Sequence, residues 1–117
     1  MSKPNLHLGI AALVWITAIA VGHAAQPLPA TPPLIEKGKQ VYQLQCAPCH
    51  GASGEGDGPV GKKYVPTPSD LRPGSHGGHH SDGELFVIIS SGAGGMPAFR
   101  ADLTPAERWQ IVAYMRT

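Results

Sequence analysis

Two cysteines and a histidine lie within five consecutive residues of this 117-residue chain. They are Cys46, Cys49 and His50, in the order C-x-x-C-H. Two thiols at this spacing can add to the two vinyl groups of one haem, and the imidazole of the next residue can bind the haem iron. The motif therefore predicts one covalently attached haem c, with His50 as the proximal iron ligand.

Two other kinds of site use a similar cysteine spacing. A thioredoxin-like dithiol would follow a strand in a βαβ unit, whereas the residues before Cys46 have helical periodicity. A structural zinc site needs four ligands, and only the nearby histidines His76, His79 and His80 could complete one. They flank glycines just before a predicted helix start and do not lie on a helix, so we expect a solvated turn there, with metal binding as the alternative.

An uncharged apolar segment of 14 residues runs from Leu8 to Val21, after Lys3 and before small residues. This is the order of regions in a secretory signal peptide, and we expect cleavage after Ala24. A retained membrane anchor is the alternative, although about 20 apolar residues are usual for a span. The segment therefore predicts an exported, periplasmic protein, or one anchored to the inner membrane and facing the periplasm.

Removal of residues 1–24 would leave about 90 residues and a formal net charge of 0, because Lys3 is the only charged residue removed from a total of +1. A chain without a basic excess is not expected to bind nucleic acid. An apolar core of this size is only marginally stable by itself. Two cysteines three positions apart could close only a small disulfide loop, so a bound cofactor is the expected source of stability.

The sequence predicts three principal helices joined by long loops. Residues 25–32 form a proline-rich tether, and a helix should follow over 33–45, with Thr31 as its cap and a proline in its first turn. Residues 51–80 show no periodicity and contain many glycines and prolines, which indicates a long ordered loop around a large ligand.

The two later helices begin at recognisable capping boxes. Ser81 and Glu84 predict a short helix that ends near Gly92. Thr104 and Glu107 predict a final helix over 105–115, with a proline in its first turn. Between these helices, a glycine-rich turn presents Met96.

These residues together resemble the class I c-type cytochrome family over nearly the whole chain after the signal. Gly38 and Tyr42 precede Cys46 by eight and four residues, and 111–114 is similar to the family's last helix. The resemblance implies an all-α domain over 33–117 that encloses one haem, with the first and last helices crossing at Gly38. It also implies that Met96, within Gly95-Met96-Pro97-Ala98-Phe99, is the distal iron ligand.

The stretches 51–59 and 66–71 are similar to those of monohaem cytochromes that are subunits or partners of bacterial respiratory complexes and dehydrogenases. This second resemblance implies that a proline carbonyl accepts the His50 Nδ1 proton. The candidates are Pro59, Pro66 and Pro68. It also makes Lys62, Tyr64 and Arg72 candidates for contact with the haem propionates, although solvated surface charge is the simpler interpretation.

The expected function is single-electron transfer, with redox proteins or a membrane respiratory or dehydrogenase complex as partners and without enzymatic turnover. Histidine and methionine would fill both axial positions of the iron and leave no site for a substrate. A haem enzyme or gas sensor, which needs an open or displaceable sixth position, is the alternative function. Met96 decides between the two.

Overall fold

The computed structural model describes residues 27–117, which form four α-helices and two single-turn 3-10 helices. The α-helices are α1 (Pro32–Gln45), α2 (Ala47–His50), α3 (Asp82–Ser91) and α4 (Pro105–Met115), and the 3-10 turns are Gly61–Lys63 and Gly77–His79. Over these residues the only β-pairing is an isolated bridge between Ala93 and Met96. The predicted all-α class is confirmed.

The predicted signal segment, residues 1–24, lies outside the described residues. Within 27–117, none of the helices combines the length and apolar character needed to cross a membrane. Residues 27–32 are the described part of the proposed tether. They are attached to the domain, because Leu28 packs against the core.

The start of α1 differs from the predicted cap. Thr31 occupies the N-cap position, but its side chain makes no capping hydrogen bond. The first two helical residues, Pro32 and Pro33, have no N–H to donate, and the Leu34 N–H is bound by the Thr31 backbone carbonyl at 3.0 Å. The Thr31 carbonyl and the two prolines therefore define the start of this helix, and the Thr31 hydroxyl takes no part.

Both predicted capping boxes are present. The Ser81 N–H donates to the Glu84 carboxylate at 2.7 Å, and the Thr104 N–H donates to Glu107 at 2.8 Å. In each case the N-cap hydroxyl accepts the N–H of the same glutamate. These hydrogen bonds hold the pKa of both glutamates below its ordinary value, so each cap stays charged at the positive end of its helix dipole.

Helices α1 and α4 cross at Gly38, as the sequence predicts. A Cβ atom at this position would overlap the backbone carbonyl of Gln110 and lie 3.1 Å from the Ile111 nitrogen. Next to the crossing, the rings of Tyr42 and Tyr114 pack with their centroids 5.3 Å apart. The absence of a side chain at Gly38 thus allows the two backbones to touch.

We expect Gly38→Val to lower the free energy of unfolding of the haem-loaded protein by about 3 kcal/mol or more, because the new methyl groups meet backbone that cannot rotate away. Thermal unfolding followed by circular dichroism should show a fall in Tm on the order of 10–20 °C. Gly83→Ala is the matched control, since a Cβ there meets nothing within 4 Å. An unchanged Tm for Gly38→Val would contradict the crossing.

Helix α3 packs against α4 through aromatic and charged side chains. The Phe86 and Trp109 rings stack with centroids 4.3 Å apart, and the Arg108 guanidinium lies 4.7 Å from the Phe86 centroid. Arg108 is buried and donates a hydrogen bond to the Ser90 hydroxyl. These contacts hold α3 against α4, so the loop that follows α3 starts from a fixed position.

Candidate functional site

One cavity brings together the four residues to which the sequence assigns chemistry. Cys46, Cys49, His50 and Met96 all line it. Most of the remaining wall is apolar and comes from α3, α4 and the two long loops; the aliphatic members include Leu71, Leu85, Ile88, Ile89 and Ile111. Among residues 27–117, no aspartate, glutamate, lysine or arginine lines this cavity. Its chemistry is therefore that of two thiols, two imidazoles and two thioethers in a largely apolar wall, since His80 and Met115 also line it.

The cysteines and the histidine share one helical turn that continues from α1. The Cys46 N–H is bound by the Tyr42 carbonyl at 2.8 Å, and the Cys46 carbonyl accepts from the His50 N–H at 2.8 Å. The buried Tyr42 hydroxyl also donates to the Gly51 carbonyl at 2.9 Å, just beyond His50. Tyr42 thus fixes both ends of the C-x-x-C-H segment.

The thiol chemistry disfavours a redox dithiol or a zinc site. Burial, reinforced by Cys49, raises the pKa of the Cys46 thiol to about 12. A catalytic dithiol needs the opposite shift, because the thiolate is the reactive form. The preceding element is a helix, and no group of three or more His, Cys, Asp or Glu residues that could hold a metal ion occurs within 27–117.

The three clustered histidines lie in two different environments. His76 and His79 are exposed at the second 3-10 turn, whereas His80 is half-buried and lines the cavity. The expected solvated turn therefore describes two of them. The third belongs to the wall of the site, a position that no sequence pattern indicates.

His50 is oriented by a backbone carbonyl, but not by a proline carbonyl. Its Nδ1 lies 3.0 Å from the Ser69 carbonyl oxygen, so the expectation for Pro59, Pro66 or Pro68 is wrong. Pro66 and Pro68 line the cavity. The carbonyl within hydrogen-bonding distance of the imidazole belongs to Ser69, the residue after Pro68. Donation from Nδ1 to this oxygen leaves Nε2 free to bind a metal.

Met96 is held by a tight turn after α3. The Ala93 carbonyl accepts the Met96 N–H at 2.9 Å. Gly92 has a φ of +74°, which favours glycine, and a Cβ there would lie 3.0 Å from the Ala98 nitrogen. The predicted glycine-rich turn is present and places Met96 in the cavity wall.

Of the three candidates for the haem propionates, only Tyr64 lines the cavity. Lys62 is exposed to solvent and is not among the residues that line the cavity. Arg72 is bound by two carboxylates, at 3.1 Å from Asp70 and 3.0 Å from Glu55. Hydrogen bonds from Arg72 lower the pKa of Asp70 to about 2, so these ion pairs persist at neutral pH and keep the guanidinium away from the cavity.

The cavity fits a covalently bound haem. Two thiols lie on one turn beside an imidazole whose other nitrogen is already hydrogen-bonded, and a thioether is fixed in the same wall. The apolar wall suits a large, flat macrocycle, and the long loop 51–80 supplies part of it. The donor set is the one expected for histidine and methionine ligation of haem iron.

The family model described as "Cytochrome C oxidase, cbb3-type, subunit III" matches residues 33–115. A curated relative, the cbb3-type cytochrome c oxidase subunit FixP of Azorhizobium caulinodans, is 30% identical over 90 residues, which are 76% of this chain and 29% of FixP. The chain thus spans less than a third of that relative's length.

Two solved structures show the same architecture. A chain of the reducing HAO-like protein complex of Kuenenia stuttgartiensis superposes with a TM-score of 0.68 at 30% identity, over 78% of this chain and 46% of that one. Cytochrome cL of Hyphomicrobium denitrificans has a TM-score of 0.55 at 29% identity, over 71% and 46%. The chain therefore belongs to the cbb3-type cytochrome c oxidase subunit III family, and its domain is a class I c-type cytochrome that binds one covalent haem c and transfers electrons.

Proposed function

We propose that Cys46 and Cys49 hold the haem through thioether bonds, that His50 and Met96 are its axial ligands, and that the protein is an electron carrier rather than an enzyme. The convergence of these four side chains on one cavity carries the proposal. Haem iron supplies the redox chemistry, since it gains and loses one electron between its ferric and ferrous states.

The residues of the chain supply ligation, orientation and exclusion of water. The Ser69 carbonyl holds the His50 ring in one tautomer, and the turn that begins at Gly92 fixes the Met96 side chain. If His50 and Met96 hold the iron, they would leave no open position for a substrate or a gas. The apolar wall would limit the access of solvent to a bound haem and so influence its reduction potential.

A haem enzyme or gas sensor is the second candidate function, and it requires Met96 to be absent from the iron or easily displaced. The hydrogen-bonded turn around Met96 favours the carrier, because a displaceable ligand needs a loop that can move away. Binding of carbon monoxide by the reduced wild-type protein would favour the enzyme or sensor.

We propose further that residues 1–24 direct export to the periplasm, either as a cleaved signal peptide or as an anchor in the inner membrane. The apolar run from Leu8 to Val21 supports this. The proposed partners are redox proteins or a membrane respiratory or dehydrogenase complex. Two of the similar chains, FixP and that of the HAO-like complex, belong to multi-subunit assemblies by name.

Intact-mass spectrometry of the exported protein, together with visible spectra in both oxidation states, tests these proposals. We expect a chain that begins near Ala25 and carries one covalent haem, because the sequence has one C-x-x-C-H motif and a signal-sized apolar run. The reduced spectrum should be that of a low-spin c-type haem. A mass that retains Met1 or Ser2 would contradict cleavage, and a mass without haem would contradict attachment.

A further inference from the structure

His80 is a titratable residue of the cavity wall to which the proposed haem ligation gives no role. Within the described part of the chain, no carboxylate, lysine or arginine lines the cavity, and its titratable residues are two cysteines, two tyrosines, His50 and His80. In the proposed function, the two cysteines and His50 bind the haem. Since imidazole alone among the remaining groups changes charge near neutral pH, His80 is the one wall residue that can gain or lose a proton there beside the haem.

The position of His80 is fixed by an arginine from the C-terminal end of α4. The Arg116 guanidinium donates hydrogen bonds to the carbonyls of His80 and Gly78, the latter at 3.2 Å. Its Nε also donates to the Asp82 carboxylate at 2.8 Å. Arg116 therefore ties the segment 78–82 to α4, and His80 stays against the cavity.

The charged groups around His80 come from three elements. Its own segment contributes His79, and α4 contributes the Arg116 guanidinium, whose charge is matched by Asp82 at the start of α3. Glu84 of α3 faces His80: hydrogen bonds from Ser81 lower the pKa of Glu84, and the charge of His80 lowers it further. With Arg116 and Asp82 paired, Glu84 is the remaining negative neighbour of His80.

We infer that His80 couples proton binding to the redox state of the haem, an inference that rests on the proposed electron-carrier function. His80 binds one proton from solvent when one electron enters the haem from a redox partner, and it returns the proton when the electron leaves. The physical reason is Coulombic, because the oxidised centre carries one more positive charge and repels an imidazolium in the same low-dielectric wall. The pKa of His80 is therefore higher in the reduced protein.

The expected result is a reduction potential that depends on pH. It should be constant at low pH, fall between the two pKa values of His80 and be constant again above them, within a window from about pH 5 to about pH 8. Each tenfold difference in proton affinity between the oxidation states separates the two plateaus by about 59 mV for a one-electron couple.

Spectroelectrochemical titration of the haem-loaded protein and of His80→Asn tests this. The variant should have one pH-independent potential in this window, close to the high-pH plateau of the wild type. His76→Asn and His79→Asn are the matched controls, because both histidines are exposed and neither lines the cavity. Both controls should keep the wild-type dependence on pH.

NMR titration of the His80 ring in the wild type gives a second measurement that needs no variant, and it should show a higher pKa in the reduced state. Equal pKa values in the two states, or a pH-dependent potential that persists in His80→Asn, would overturn the inference; in the latter case the haem carboxylates would carry the dependence. A flat potential in a protein that keeps its His50 and Met96 ligation overturns this inference alone. Loss of that ligation in the wild type overturns the proposed function as well.

Discussion

Replacement of both Cys46 and Cys49 by alanine is expected to leave any bound haem extractable by acidic organic solvent and the chain largely unfolded. The cavity that these cysteines line has a volume of about 270 Å³. At roughly 24 cal/mol per Å³, a dry void of that size would cost at most about 6.5 kcal/mol. Small domains have a total stability of about 5–15 kcal/mol, so loss of the haem removes a large share of the stability.

Far-ultraviolet circular dichroism and acidic solvent extraction measure the two effects separately. Ser53→Ala is a control for the substitution itself, because Ser53 is exposed and lies outside the cavity, and it should keep both the haem and the helical signal. A double variant that retains native-like helical content without haem would contradict the claim that the cofactor stabilises the fold.

The features that could be predicted from the sequence are those encoded by local residue patterns. The two capping boxes place hydroxyl and carboxylate groups three residues apart, so the starts of α3 and α4 follow directly. Gly38 could be assigned to a helix crossing because the resemblance supplies the family's crossing position and glycine allows close approach. The C-x-x-C-H motif is equally local, since its cysteines and histidine share one turn.

The features that could not be predicted depend on the path of the loop 51–80. The partner of His50 is a backbone carbonyl, and the carbonyl of Ser69 has no signature that distinguishes it from those of the neighbouring prolines. Arg72 is diverted by Asp70 and Glu55, which needs knowledge of how the loop folds back. His80 enters the cavity wall because Arg116, 36 residues later, binds its carbonyl.

Met96→Ala is expected to remove the sixth ligand of the haem iron and to convert a closed coordination sphere into an open one. The weak absorption band near the red end of the oxidised spectrum, which arises from sulfur-to-iron ligation, should disappear. The reduced variant should bind carbon monoxide, which the wild type should exclude. The reduction potential should fall on the order of 0.1–0.3 V, a fraction of the roughly 0.8 V range that axial ligation spans.

Met115→Ala is the matched control for this substitution, since it truncates a second thioether that lines the same cavity. Met115 lies in the last turn of α4, where a regular helix holds its backbone, whereas Met96 lies in a turn defined by Gly92 and by the hydrogen bonds between Ala93 and Met96. If Met96 is the ligand, Met115→Ala should keep the absorption band and exclude carbon monoxide. Loss of the band in Met115→Ala but not in Met96→Ala would assign the ligand to α4.

Ready binding of carbon monoxide by the wild type would mean that the sixth position is open, and the protein would then be a haem enzyme or a gas sensor.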